Sequence, residues 1–197
     1  MATMSQRPSE PFQSLRGNLN LMIFVIRTWS TSLEVFFRRD FGDRYLGVQA
    51  MAVLILVPLY SLGWQDYDLR PLYWFIPAYL LRCLYVRQRA IWTRQPGDWC
   101  HSYYDGWPTG LKSTAKISER TFKRFFEPAS ALALGFMVRN FLGEGPLGCY
   151  LMIGGACMFW SGHLTQMAYR TRLKNIQDAM IEQQLLAEEF RQIRGSL

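Results

Sequence analysis

Residues 46–64 read Leu-Gly-Val-Gln-Ala-Met-Ala-Val-Leu-Ile-Leu-Val-Pro-Leu-Tyr-Ser-Leu-Gly-Trp and contain no charged side chain. As a helix they extend roughly 28 Å at about 1.5 Å per residue, close to the about 30 Å of a bilayer core. Arg38, Arg39 and Arg44 precede the stretch, and Asp66 and Asp68 follow it. It therefore reads as a membrane span with polar edges, in which Pro58 predicts a kink because its ring removes one backbone hydrogen bond. The link at 65–68 is short, so the next apolar run, Leu69–Val86, must return antiparallel, with Arg82 able to snorkel and Tyr73, Trp74, Tyr85 and Trp92 near the headgroups. Residues 43–94 thus form a first expected transmembrane hairpin.

A second hairpin is expected over 128–162. Its first arm, Pro128–Leu142, is short and contains Arg139, so it spans only if Phe125 and Phe126 are added or the bilayer thins. Gly143-Glu144-Gly145 makes a tight turn, and Pro146–Gly162 returns. Ala131, Gly135, Gly148, Gly154, Gly155 and Ser161 are small residues that let two helices approach closely.

Four segments flank these hairpins. Residues 1–12 lack periodicity and read as a flexible tail. Over 13–41, Leu15, Leu19, Met22, Ile26, Trp29, Leu33 and Phe36 recur at spacings of four and three, an amphipathic helix that lies on a membrane surface or packs on another helix. Residues 95–127 hold an aromatic loop followed by a basic surface helix. From 163 to the end there is no proline, and Tyr169, Leu173, Ile176, Met180, Gln183, Ala187 and Phe190 form a heptad stripe.

The net charge is +7 and 18 of the 22 basic residues are arginine, whose planar guanidinium pairs bidentately with phosphate. Two antiparallel hairpins put the N-terminus, the central connection and the C-terminus on one side, together with every Lys and Arg except Arg70 and Arg139. The positive-inside rule makes that side cytoplasmic. The expected fold is an all-α integral membrane protein of two transmembrane helical hairpins, with amphipathic surface helices and a long C-terminal helix, in the bacterial inner membrane or its equivalent.

The residues that could carry chemistry are few. Trp99, His101, Tyr103, Tyr104, Asp105 and Trp107 sit in the 98–110 loop, where His101 and Asp105 could activate a nucleophile or a water. A partner- or lipid-contacting loop accounts for the same aromatics more simply, with Gly106 and Pro108 making its turn. Arg139 is an intramembrane charge that reaches the interface or pairs with Glu144, Asp66 or Asp68. Leu173, Ile176, Met180, Ala187 and Phe190 are the candidate oligomerisation seam. Cys83, Cys100, Cys149 and Cys157 show no metal or disulfide spacing, and two histidines outside the spans argue against a haem bundle, so no cofactor is expected. The expected partners are a bilayer with anionic headgroups, and a second copy or a membrane-complex partner through 163–194. Nucleic acid is disfavoured because no base-reading motif accompanies the arginines. The function these features favour is non-enzymatic anchoring or assembly of a larger membrane complex. The alternatives are a subunit of an oligomeric transporter or channel and, third, a membrane-bound enzyme using the His101 loop.

Overall fold

The computed structural model describes residues 10–42, 45–93, 104–110 and 118–195, and the side chains of 17–42, 45–92, 104–110, 118–188 and 191. The chain divides into a unit of residues 1–161 and a unit of residues 162–197. It is mostly helical. In order come α1 (Glu10–Phe37), β1 (Arg38–Arg39), α2 (Val48–Ser61), α3 (Arg70–Thr93), β2 (Trp107–Pro108), α4 (Glu119–Thr121), α5 (Glu127–Phe141) and α6 (Gly145–Gly195).

Among the described residues no helix is long and apolar enough to cross a membrane. This overturns the expected transmembrane hairpins, the integral-membrane fold and the integral-membrane location. The reasons are local. The α-helix within 46–64 covers only Val48–Ser61, 14 residues or about 21 Å, before a turn of 3-10 helix at Leu62–Trp64. The α5 helix has 15 residues including Arg139. The α3 helix is long enough but carries Arg70, Arg82, Arg87 and Arg89. The apolar start of α6 is diluted by Gly145, Gly148, Gly154 and Gly155.

The second half of α1 is the centre of the first unit rather than a surface element. Every residue from Thr28 to Val35 except Trp29 is 3% exposed or less, whereas Leu19 and Met22 of the expected apolar stripe are 53% and 55% exposed. The buried hydroxyls are tolerated because each bonds to its own helix: Thr28 Oγ1 to Phe24 O at 2.9 Å, Thr31 Oγ1 to Arg27 O at 2.8 Å and Ser32 Oγ to Trp29 O at 2.7 Å. Around this rod, Val35 packs with Val53 and Val57 of α2, Leu72 and Tyr79 of α3, and Tyr150 of α6. Leu33 packs with Ala131 of α5 and with Leu151 and Met158 of α6. Trp29 lies against Tyr60 and Tyr150 at ring centroid distances of 5.5 and 5.3 Å, and its Nε1 donates to Tyr150 O at 3.2 Å.

The α5–α6 hairpin is closed by the small residues. A Cβ on Gly135 would stand 2.8 Å from Gly148 O, and one on Gly155 would stand 3.0 Å from Pro128 O. Gly143, with φ of 72°, makes the turn between the two helices. Helix α1 stops at Phe37 because Arg38 and Arg39 become extended and pair antiparallel with Pro108 and Trp107, a two-stranded ladder that period-based reading does not register. Asp40 (φ 58°) then turns the chain in the left-handed region, which Asp tolerates better than most side chains.

Candidate functional site

The C-terminal end of α1 has the orphan carbonyls of any helix end, and two other segments converge on them. Arg82 of α3 donates from Nε to Val35 O at 3.0 Å and from Nη2 to Arg38 O at 3.4 Å. Thr109 N bonds to Phe37 O at 2.8 Å, and Gly42 N bonds to Tyr104 O at 2.9 Å. The 104–110 segment is thereby clasped around the end of α1. Gly106 is required for that clasp: its φ is 85°, and a Cβ would meet Arg39 O and the Phe41 ring at 3.0 Å.

Inside the clasp lies an ionic cluster centred on Arg38, whose side chain is 6% exposed. Its Nε donates to Glu127 Oε2 at 2.7 Å. Its Nη1 donates to Asp105 Oδ2 at 3.1 Å and to Asp105 O at 3.2 Å, and lies 3.4 Å from Glu34 Oε2. Glu34 also accepts Ser30 Oγ at 2.5 Å and the Tyr45 hydroxyl. On the outer side Lys123 Nζ bridges Asp105 Oδ1 at 2.8 Å and Glu119 Oε1 at 2.6 Å, and sits 4.6 Å from the centre of the Tyr104 ring. Tyr104 donates its hydroxyl to Glu119 Oε1 at 2.5 Å. A π-helical turn, Phe122–Phe126, contains Lys123 and directly precedes Glu127, of the kind found as single-turn bulges at functional sites.

Burial shapes the protonation of this cluster. Desolvation alone would lower the Arg38 pKa, but Glu34 and Glu127 outweigh it, so the guanidinium is held more firmly protonated than usual. Desolvation raises the Glu127 carboxyl above 4.5 despite Arg38, and its Oε1 is buried with no donor. Desolvation, reinforced by the Glu34 charge, also raises the Tyr45 hydroxyl well above 10.0. The cluster is a cation held by carboxylates, and among the described residues no group of three or more His, Cys, Asp or Glu side chains is placed to hold a metal ion.

Of the residues singled out from sequence, Trp99, His101 and Tyr103 lie outside the described residues. Tyr104, Asp105 and Trp107 belong to the clasp. Asp105 Oδ2 accepts from Arg38 and Oδ1 from Lys123, while the expected pairing of Asp105 with His101 lies outside the described residues. With the spans withdrawn, Arg139 is no intramembrane charge: it is on the exposed side of α5 and its Nη1 lies 3.4 Å from Cys149 Sγ. Leu173, Ile176 and Met180 are 49%, 58% and 58% exposed on α6, Ala187 is also exposed, and the Phe190 side chain lies outside those described. Sequence reasoning missed Glu34, Arg38 and Glu127 as a set. The one available signal was a Glu and an Arg four apart in a helical stretch with no other charged side chain between Arg27 and Arg38. Comparison with known proteins assigns no family: no family model, curated protein or solved structure matches the chain.

Proposed function

We propose that the protein is a non-enzymatic assembly subunit, in which the first unit is a helical body and the helix of residues 162–195 pairs with the same helix of a second copy. The observation that carries this reading is the stripe Tyr169, Leu173, Ile176 and Met180, each about half exposed or more and spaced by four and three residues. An apolar stripe with that period is buried by a second helix in a coiled coil, where each side chain enters a hole between four residues of its neighbour. The polar residues between, including Arg170, Arg172, Lys174, Asp178 and Glu182, keep the other faces in water. The Arg38 cluster serves this role by fixing the 104–110 segment and the start of α5 to α1.

Disulfide trapping of the full chain tests the pairing. Under mild oxidation Ile176→Cys, on the stripe, gives an intermolecular disulfide dimer, while Asp178→Cys, off the stripe, does not. Equal trapping at both positions, or at neither, contradicts it.

A further inference from the structure

The helices α2 and α3 lie side by side, with Tyr79 Oη donating to Ala50 O at 3.2 Å and Ser61 Oγ 3.0 Å from Tyr73 Oη. On α2, Val53, Val57 and Ser61 are buried. Its other face is bare, with Val48 76%, Met51 66%, Ile55 72% and Leu59 62% exposed, and Leu62, just past its end, is 62% exposed. On α3, Trp74 is 74%, Leu81 68%, Leu84 63%, Ile91 70% and Trp92 80% exposed. Solvent-exposed apolar surface of this extent marks an interaction site rather than ordinary surface scatter.

The chemistry of the face selects its occupant. Protein interfaces of ordinary size carry about ten hydrogen bonds and a polar rim, yet the exposed stripe of α2 has no side-chain nitrogen or oxygen. Such a surface suits an environment with no hydrogen-bonding demand. At the far end of α3 the character changes: Tyr85, Gln88, Arg89 and Trp92, at successive helical turns, line an open cavity of about 310 Å³. Arg87 is exposed beside it. Arg89 is already paired with Asp40 at 3.2 Å, so an anion there shares the guanidinium with a carboxylate. Aromatic rings and arginines bordering an apolar face are the arrangement used at the boundary between acyl chains and headgroups.

We propose that the outer face of α2 and α3 rests on the surface of an anionic phospholipid leaflet. The Val48–Leu62 stripe meets the acyl layer and the Tyr85–Gln88–Arg89–Trp92 cavity takes a headgroup phosphate. The contact is one-sided and needs no helix to cross the bilayer. It is independent of the pairing through the C-terminal helix, because it uses different residues.

Vesicle flotation of the full chain tests this, with phosphatidylcholine vesicles set against vesicles that also contain phosphatidylglycerol. The protein floats with the anionic vesicles. Ile55→Asp with Leu59→Asp, both exposed and therefore compatible with the fold by circular dichroism, abolishes flotation. Arg87→Gln with Arg89→Gln weakens binding to anionic vesicles by about thirtyfold, the effect of removing two arginines near a charged surface, and leaves binding to neutral vesicles unchanged. Flotation indifferent to both pairs of substitutions overturns the proposal. So does complete competition by inorganic phosphate, which identifies a free-anion site, or an unchanged flotation with an altered oligomeric mass in Ile55→Asp with Leu59→Asp, which identifies a second copy as the occupant.

Discussion

Arg38 is surrounded by more negative charge than it carries, and that imbalance fixes how the two kinds of substitution behave. Removing the cation in Arg38→Met leaves Glu34 and Glu127, 3% and 1% exposed, without their counter-charge. Breaking a buried ion pair in this way costs about 3–5 kcal/mol, to be read from denaturant unfolding. Glu127→Gln removes one of several carboxylates, keeps an acceptor for Arg38 Nε, and costs several-fold less. The pH dependence has a definite sign. The folded-state pKa of Glu127 is raised above 4.5, so the folded protein holds that proton more tightly than the unfolded chain. Its contribution to stability is complete below about pH 4.5 and is lost as pH rises through the higher folded value. The Tm of the wild type should therefore fall relative to that of Glu127→Gln as pH rises above about 4.5. A wild type that gains on the variant over that range contradicts this protonation. Cys157 gives a second check: burial pushes its thiol up to about 11, so only about a thousandth is thiolate near pH 8. Alkylation at Cys157, followed by peptide mass spectrometry, should be slow there and accelerate as pH approaches that value.

At the scale of elements, the α5–α6 contact makes a paired prediction about glycine. A Cβ on Gly148 would sit 2.7 Å from Arg139 Cβ and 2.8 Å from Gly135 O, so Gly148→Ala forces two backbones apart and costs about 1–3 kcal/mol. A Cβ on Gly162 meets nothing within 4 Å, so Gly162→Ala gains up to about 1 kcal/mol of helix propensity. Opposite shifts in the denaturation midpoint confirm the packing, and shifts of the same sign refute it. The small residues of this hairpin and its turn at Gly143 were legible because they depend on local sterics. The 46–64 run was not, because an apolar stretch reports only that water is unfavourable; it fixes neither where the helix stops nor what covers its outer face. The ionic cluster was hidden for a different reason. Glu34 and Arg38 are four apart, but Asp105 and Glu127 come from distant parts of the chain, and the ladder between Arg38–Arg39 and Trp107–Pro108, with the π-turn before Glu127, brings them to Arg38. Local periodicity cannot encode a meeting of that kind.

For the molecule as a whole, a folded first unit built around the buried half of α1 is distinct from a helical second unit that carries an exposed apolar stripe. Most of that second unit was readable from sequence, because a single uninterrupted helix depends on period and on the absence of proline rather than on tertiary contacts. The first unit had to be seen, since its centre is a stretch rich in serine and threonine rather than in leucine. The central claim is that two chains join through residues 169–187. Sedimentation equilibrium of the full chain, with and without Ile176→Asp and Met180→Asp, measures it most directly. The account predicts a mass of twice 23.0 kDa or a higher multiple for the wild type and of a single chain for the variant; a wild type that remains a single chain as concentration rises, or a variant that assembles equally well, contradicts it.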